Sequence, residues 1–271
     1  VAAASGAMIL FYRSQGSTVL SAVNYSFKIE GLGPIGLLRG TRMTLTRKIK
    51  TQMLRSAYWL AYRVAAAVYM RQPFVSYPYM NTPSQLLELA KQLLSVQVPG
   101  PAVEVGCNQG WTTCFLVEAL KEQGVKRDYV CIDTFSGFTP EDAGFEYKMR
   151  GKAAGLYDDS FSFSDPDWLK ASISRFGYTN VSVQKADATT FDYQALGQIA
   201  FALVDVDLYR PVRASLERIL PNMRRGGVII VDDCDPRHDL WDGAYHAYTE
   251  ICNEHHIRPE IVCQKLGIIR T

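Results

Sequence analysis

The chain has 271 residues, of which 48% are hydrophobic and 21% charged, with a net charge of +2. That is enough for one sizeable core with a small accessory region. No stretch reaches about 18 uninterrupted apolar residues, which excludes a membrane-spanning helix, and none of the six cysteines forms a C-x-x-C pair, which argues for reduced thiols in a cytoplasmic protein and against zinc or a disulfide frame.

The charge is uneven. Residues 1–80 carry ten Lys and Arg against Glu30 alone, about +9, whereas residues 81–271 carry 19 against 26 acids, or −7. Two kinds of structure are therefore expected: a basic, partly helical N-terminal extension over 1–80 and a larger domain over 81–271. Residues 1–40 give little pattern beyond the turn-like "GLGPIGLLRG". From Thr44 to Met70 apolar and basic residues alternate as in a helix, and "QPFVSYPYMNTP" then breaks the pattern with three prolines. The start "VAAASGAMILFY" lacks the basic region of a signal peptide.

From Ser84 onward helix and strand patterns alternate. "SQLLELAKQLLS" reads as a helix, "PAVEVG" as a strand and "GWTTCFLVEALKEQG" as a helix stopped by Gly124. Then come the strand "DYVCID", the helix "PDWLKASISRFG", the strand "VSVQKAD" and another strand within "ALGQIAFALVDVD". The helix "PVRASLERILPNM", the strand "GVIIVDD", the helix "GAYHAYTEICNEH" and one or two strands in "PEIVCQKLGIIRT" complete the chain. Such alternation predicts a doubly wound, mostly parallel α/β sheet of the Rossmann-like kind. In that architecture ligands bind beyond the carboxyl ends of the strands. The long polar and aromatic stretch Thr139–Asp167 falls at that edge and is expected to be a lid or substrate loop, anchored at its end by Trp168.

The stretch "VEVGCNQGWTT" joins a strand, a glycine-bearing turn and a helix start. Gly106 and Gly110 permit a tight turn and close approach to a ligand, with Glu104 just before it. The spacing is E-x-G-x-x-x-G, so the dinucleotide fingerprint G-x-G-x-x-G is absent. Asp133 ends the next strand, where an acid can accept from both hydroxyls of a ribose, and Asp187 ends the one after, where an acid can receive an adenine amino group. An adenosine pocket without a phosphate-binding lysine suits S-adenosylmethionine. Candidate donor contacts are Glu104, Gly106, Asn108, Gly110, Thr112, Asp133, Thr134, Ser136, Asp187 and Ala188.

Two further strands end in acid: Asp205 and Asp207 in "DVD", then Asp232 and Asp233. In a doubly wound sheet these strands are neighbours, so their carboxylates converge and repel unless a cation intervenes. Oxygen ligands with no Cys or His among them suit a hard ion such as Mg²⁺. Asp232 and Asp233 are adjacent and diverge on a straight strand, so which acids bind is left open at this point. Of the four histidines, His238 lies near the acids, while His246, His255 and His256 read as structural.

Together "VEVGCNQGWTT", "CIDTFSGF" and "DVDLYRPVRASLERILPNMRRGGVIIVDDC" resemble the macrocin O-methyltransferase family over roughly residues 80–271. The most specific element is D-x-D-x-Y followed downstream by G-G-x-x-x-x-D-D. The resemblance implies a class I, S-adenosylmethionine-dependent and Mg²⁺-dependent enzyme that methylates sugar hydroxyls of natural products. It implies Asp205, Asp232 and Asp233 as the metal ligands and Asp207 as the general base. The chain departs from the family in reading D-V-D where many members have D-G-D, and Cys107-Asn108-Gln109 in the turn. The expected partner is a small, sugar-bearing hydroxyl acceptor, with a catechol or phenol as the alternative acceptor and a non-catalytic adenosine-binding module as the alternative class. Nucleic acid is not expected, since the domain bearing the acids is net negative. For residues 1–80, contact within a homo-oligomer or a lid ranks ahead of a membrane surface.

Overall fold

The structure, a computed structural model, describes residues 81–271. The extension expected over residues 1–80, with its basic helix and its boundary, lies outside the described residues. Thr82 opens α1 (Pro83–Ser95) with a reciprocal cap: its hydroxyl accepts from the Gln85 N–H, and the Gln85 amide oxygen accepts from the Thr82 N–H at 2.7 Å. There follow β1 (Ala102–Val105), α2 (Trp111–Glu122), β2 (Tyr129–Asp133), α3 (Pro140–Met149), α4 (Pro166–Arg175), β3 (Val181–Lys185) and β4 (Ile199–Val204). The chain continues with α5 (Tyr209–Ile219), β5 (Met223–Val231), α6 (Asp242–Glu254), β6 (Glu260–Val262) and β7 (Leu266–Arg270).

The seven strands form one sheet in the order β3-β2-β1-β4-β5-β7-β6. The first five are parallel, and β7 runs antiparallel to both β5 and β6. This is the expected doubly wound, mostly parallel sheet. Because β1 is flanked by β2 on one side and β4 on the other, the winding reverses between β1 and β4. A crevice opens at such a reversal. Val105 is level with Ile132 and with Val204, and Val204 with Val231. Gly106, Asp133, Asp205 and Asp232 therefore all step off one edge of the sheet together.

Alternation along the strands divides the core into two layers. Ala102, Leu203 and Ile230 face α1, α2 and α4, packing with Leu89, Leu116 and Leu169. Val103, Val105, Ala202 and Val204 face α5 and α6, packing with Val212, Leu216 and Ile251. Each such buried Val, Leu or Ile side chain contributes roughly 1.5–3 kcal/mol, and together they make the edge that carries the site a rigid platform. The buried Arg127 guanidinium fastens the α1–β1 link, donating to the carbonyls of Gly100 at 2.7 Å, Val96 at 2.8 Å and Val98 at 3.1 Å.

The stretch Thr139–Asp167 differs from a plain loop. Its first third is α3, capped by the Thr139 hydroxyl, with Pro140 at the start and Glu141 and Asp142 in the first turn. Polar pairs clasp it to the rest. The buried Glu146 accepts from the Tyr209 N–H at 2.9 Å and pairs with Arg150 at 2.8 Å, and Asp242 pairs with Arg150 at 2.9 Å and Lys152 at 2.7 Å. Trp168 sits half-buried at the start of α4. All six cysteines are free. No helix among the described residues is long and apolar enough to cross a membrane.

Candidate active site

A cavity of about 420 Å³ opens at the winding reversal, large enough for a small-molecule site. It joins the glycine turn after β1 to the acids after β4 and β5. Gly106 stands where the two halves of the sheet part, with a φ of +91°, and a Cβ on it would lie 1.8 Å from the Asp205 carbonyl oxygen. Only glycine allows β1 and the Asp205 segment to approach this closely. Asn108 also takes a left-handed backbone, φ +47°, and its N–H donates to Asp133 Oδ2 at 2.8 Å, while the Phe135 N–H donates to Asp133 Oδ1 at 2.6 Å. Two backbone amides thus hold the Asp133 carboxylate still; burial outweighs them and pushes its pKa above the ordinary range. Asp187 Oδ1 is held by the Thr189 N–H and hydroxyl, both at 2.7 Å.

Of the ten donor-contact candidates, Glu104, Gly106, Asn108, Thr112, Asp133, Thr134, Asp187 and Ala188 line the cavity. Gly110 and Ser136 do not. Gly110 serves packing: its φ is +80°, and a Cβ there would lie 2.1 Å from Leu169 Cδ1, so it lets α4 press against the start of α2. Ser136 is exposed, because the chain turns outward after Phe135, whose φ is +51°. Glu104 belongs to the core as much as to the cavity. Its Oε2 accepts from Thr113 Oγ1 at 2.6 Å and Tyr129 OH at 2.8 Å, and burial raises its pKa to about 7.

The four acids converge, though not as one equal set. Carboxylate oxygens of Asp205, Asp207 and Asp233 all lie within 4.8 Å of one another. Asp207 and Asp233 reach this arrangement through left-handed backbone, φ +58° and +57°, so neither acid follows simple strand alternation. Burial, then repulsion from neighbouring carboxylates, pushes Asp205 and Asp207 well above the ordinary range. Asp232 is turned differently. Its Oδ1 accepts from the Asp233 N–H at 2.8 Å, its Oδ2 accepts from Lys265 Nζ at 2.9 Å, and burial raises its pKa to about 6. This donor set, all oxygen and mutually repelling, fits a hard divalent cation.

Lys265 is the functional residue that sequence reasoning missed. It comes from the β6–β7 turn, and no motif marks it. A second omission is the aromatic wall beside the acids. Phe138, Phe161 and Trp241 all line the cavity, with ring centroids 5.5–5.9 Å apart. Close to Trp241, Gly243 packs against the Leu208–Tyr209 backbone, where a Cβ would lie 2.5 Å from the Tyr209 nitrogen. His238 also lines the cavity, whereas His246, His255 and His256 are exposed on or just after α6.

Residues 103–234 match the family model described as "Methyltransferase domain". A curated relative from Streptomyces olivaceus, 8-demethyl-8-(2,3-dimethoxy-alpha-L-rhamnosyl)-tetracenomycin-C 4'-O-methyltransferase, is 27% identical over 147 residues. That match covers 52% of this chain and 55% of the relative, so the chain spans about half of its length. Among solved structures, the O-methyltransferase NovP superposes with a TM-score of 0.60 at 18% identity, covering 72% of this chain and 82% of its own. The calicheamicin methyltransferase CalS11 gives 0.54 at 18% identity, covering 89% and 99%. At these identities the structural likenesses establish the fold.

Proposed function

We propose, from the match of residues 103–234 to a methyltransferase domain, that the protein is an S-adenosylmethionine-dependent O-methyltransferase acting on a hydroxyl of a sugar or glycosylated small molecule. The observation that carries this reading is a single cavity joining an adenosine-type rim, Asp133 and Asp187 beside the Gly106 turn, to a cluster of four acids. The relative from Streptomyces olivaceus, named for methylating a rhamnosyl group, supports a sugar acceptor. The aromatic wall supports it too, since Phe138, Phe161 and Trp241 offer apolar faces to a sugar ring. The same wall suits a catechol, so an aromatic diol stands as the second reading.

In this reading Asp133 takes the ribose hydroxyls, Asp187 Oδ2 the adenine amino group, and the Gly106–Asn108 backbone the rest of the donor. S-adenosylmethionine supplies a methyl group on a sulfonium; the acceptor oxygen bonds to it as the C–S bond breaks, and the electron pair stays on sulfur. Asp205, Asp232 and Asp233 would hold Mg²⁺, which when bound lowers the pKa of an acceptor hydroxyl. Asp207 takes the hydroxyl proton. Holding donor and acceptor in one cavity supplies much of the remaining acceleration. Assembly through residues 1–80, outside the described residues, and residence in the cytoplasm complete the proposal.

The test is calorimetric titration of S-adenosylmethionine and then Mg²⁺ into the wild type and Asp232→Ala/Asp233→Ala. The expected result is donor binding to both proteins and metal binding to the wild type alone. Absence of donor binding overturns the reading. Donor binding without metal binding to either protein, even with a diol-bearing sugar present, removes the metal from it. Turnover of a catechol but of no sugar in a substrate panel selects the second reading.

A further inference from the structure

The acid cluster carries a cation of its own. Lys265 Nζ donates to Asp232 Oδ2 at 2.9 Å and to Asp233 Oδ1 at 3.1 Å. No other Lys or Arg among the described residues pairs with any of the four acids. The lysine is built in, not draped over the surface. Its side chain is only 21% exposed, and the turn that presents it contains two consecutive left-handed residues, Cys263 at φ +49° and Gln264 at φ +70°. Left-handed backbone positions favour Gly and Asn, so Cys and Gln hold them at a cost. The turn is tied down on both sides: the Cys234 N–H donates to the Lys265 carbonyl at 2.7 Å, and Gln85 Nε2 donates to the Cys263 carbonyl at 3.4 Å. The residue after the Asp232-Asp233 pair is thus bonded to the backbone of the lysine that bridges the pair.

We propose that Lys265 is the resident counter-ion of the acid cluster, a positioning residue that keeps the four carboxylates together and moderates the affinity of a divalent cation for them. This rests on the metal-dependent reading above. Four clustered carboxylates, Asp232 buried and the other three half-buried, repel one another strongly with no cation. One ammonium offsets part of that repulsion and fixes the directions of Asp232 and Asp233. The same ammonium bonds two of the carboxylates that would hold a doubly charged ion. Repulsion between the two cations exceeds what the lysine contributes by orienting two carboxylates. The ion is therefore held less tightly than four acids alone would hold it.

The experiment compares the full-length wild type with Lys265→Met and Lys265→Arg. Thermal unfolding is followed in chelator and in Mg²⁺, and Mg²⁺ binding is measured by calorimetry. In chelator, Lys265→Met should unfold about 5–10 °C below wild type and recover most of that in Mg²⁺. Its Mg²⁺ affinity should rise about tenfold or more, while Lys265→Arg stays within about threefold of wild type. An unchanged unfolding temperature in chelator, or weaker Mg²⁺ binding by Lys265→Met, overturns the proposal. If Lys265→Met does not fold in chelator, Asp232→Asn/Lys265→Met removes one charge of each sign and should unfold near the wild type; a double variant that also fails to fold overturns the proposal as well. Should neither wild type nor Lys265→Met bind Mg²⁺ while the chelator result holds, the metal-dependent reading fails and the counter-ion role stands.

Discussion

Glu104→Gln should stabilise the protein at pH 8 and do little at pH 5. Glu104 is 1% exposed, and its hydrogen bonds from Thr113 and Tyr129 do not make up for the lost water. Its pKa rises from 4.5 to about 7 in the folded protein. The folded state therefore keeps a proton that the unfolded chain gives up near 4.5. The stability from this group is fully present below pH 4.5, falls as pH rises through about 7, and is level above that. At about 1.4 kcal/mol per pH unit the gap corresponds to roughly 3 kcal/mol, or about 6–12 °C in unfolding temperature for a domain of this size. Glutamine accepts the same two hydrogen bonds and never ionises. Asp205, Asp207 and Asp232 also have raised values, but they are common to both proteins and largely cancel in the difference. The assay is thermal or urea unfolding of both proteins at pH 5, 6, 7 and 8 in one salt. If the difference in stability between them changes by less than about 0.5 kcal/mol across that range, the assigned protonation of Glu104 is refuted.

Asp207→Asn should lower kcat by about 10²–10⁴ while leaving S-adenosylmethionine affinity unchanged by calorimetry, since it removes the proposed base and no donor contact. Gly106→Ala should cost about 3 kcal/mol or more and abolish donor binding, because the added methyl meets the Asp205 carbonyl. Gly124→Ala, with a similar left-handed backbone at φ +66° but nothing within 4 Å, should cost only about 1–2 kcal/mol in the same unfolding assay. Phe161→Ala should raise the acceptor KM about tenfold with donor affinity intact, a split that shows whether the aromatic wall serves the acceptor.

Much of this was legible in the chain order of the residues. Alternating apolar runs and amphipathic stretches sufficed for the sheet, because a parallel sheet buried on both faces leaves few other ways to cover its strands. The acids could be placed on one edge for the same reason: parallel strands all end on the same side, so Asp133, Asp187, Asp205 and Asp232 had to share a rim. Even α3 had local signals in Thr139, Pro140 and two acids, but its weak amphipathic pattern and Gly144 hid them within a polar stretch.

The tertiary structure decided what depends on residues far apart in the chain. Whether Gly110 meets a ligand or Leu169 depends on where α4 lands, some sixty residues on. That Asp207 joins Asp205 and Asp233, while Asp232 turns aside, depends on two left-handed backbone positions and on a lysine 33 residues downstream. The state of Glu104 depends on its burial by the packed layers, which a tyrosine from the neighbouring strand only partly offsets. Secondary structure is set by neighbours in sequence, which a reader of the sequence can see. Charge balance and protonation are set by neighbours in space, which only the folded chain brings together.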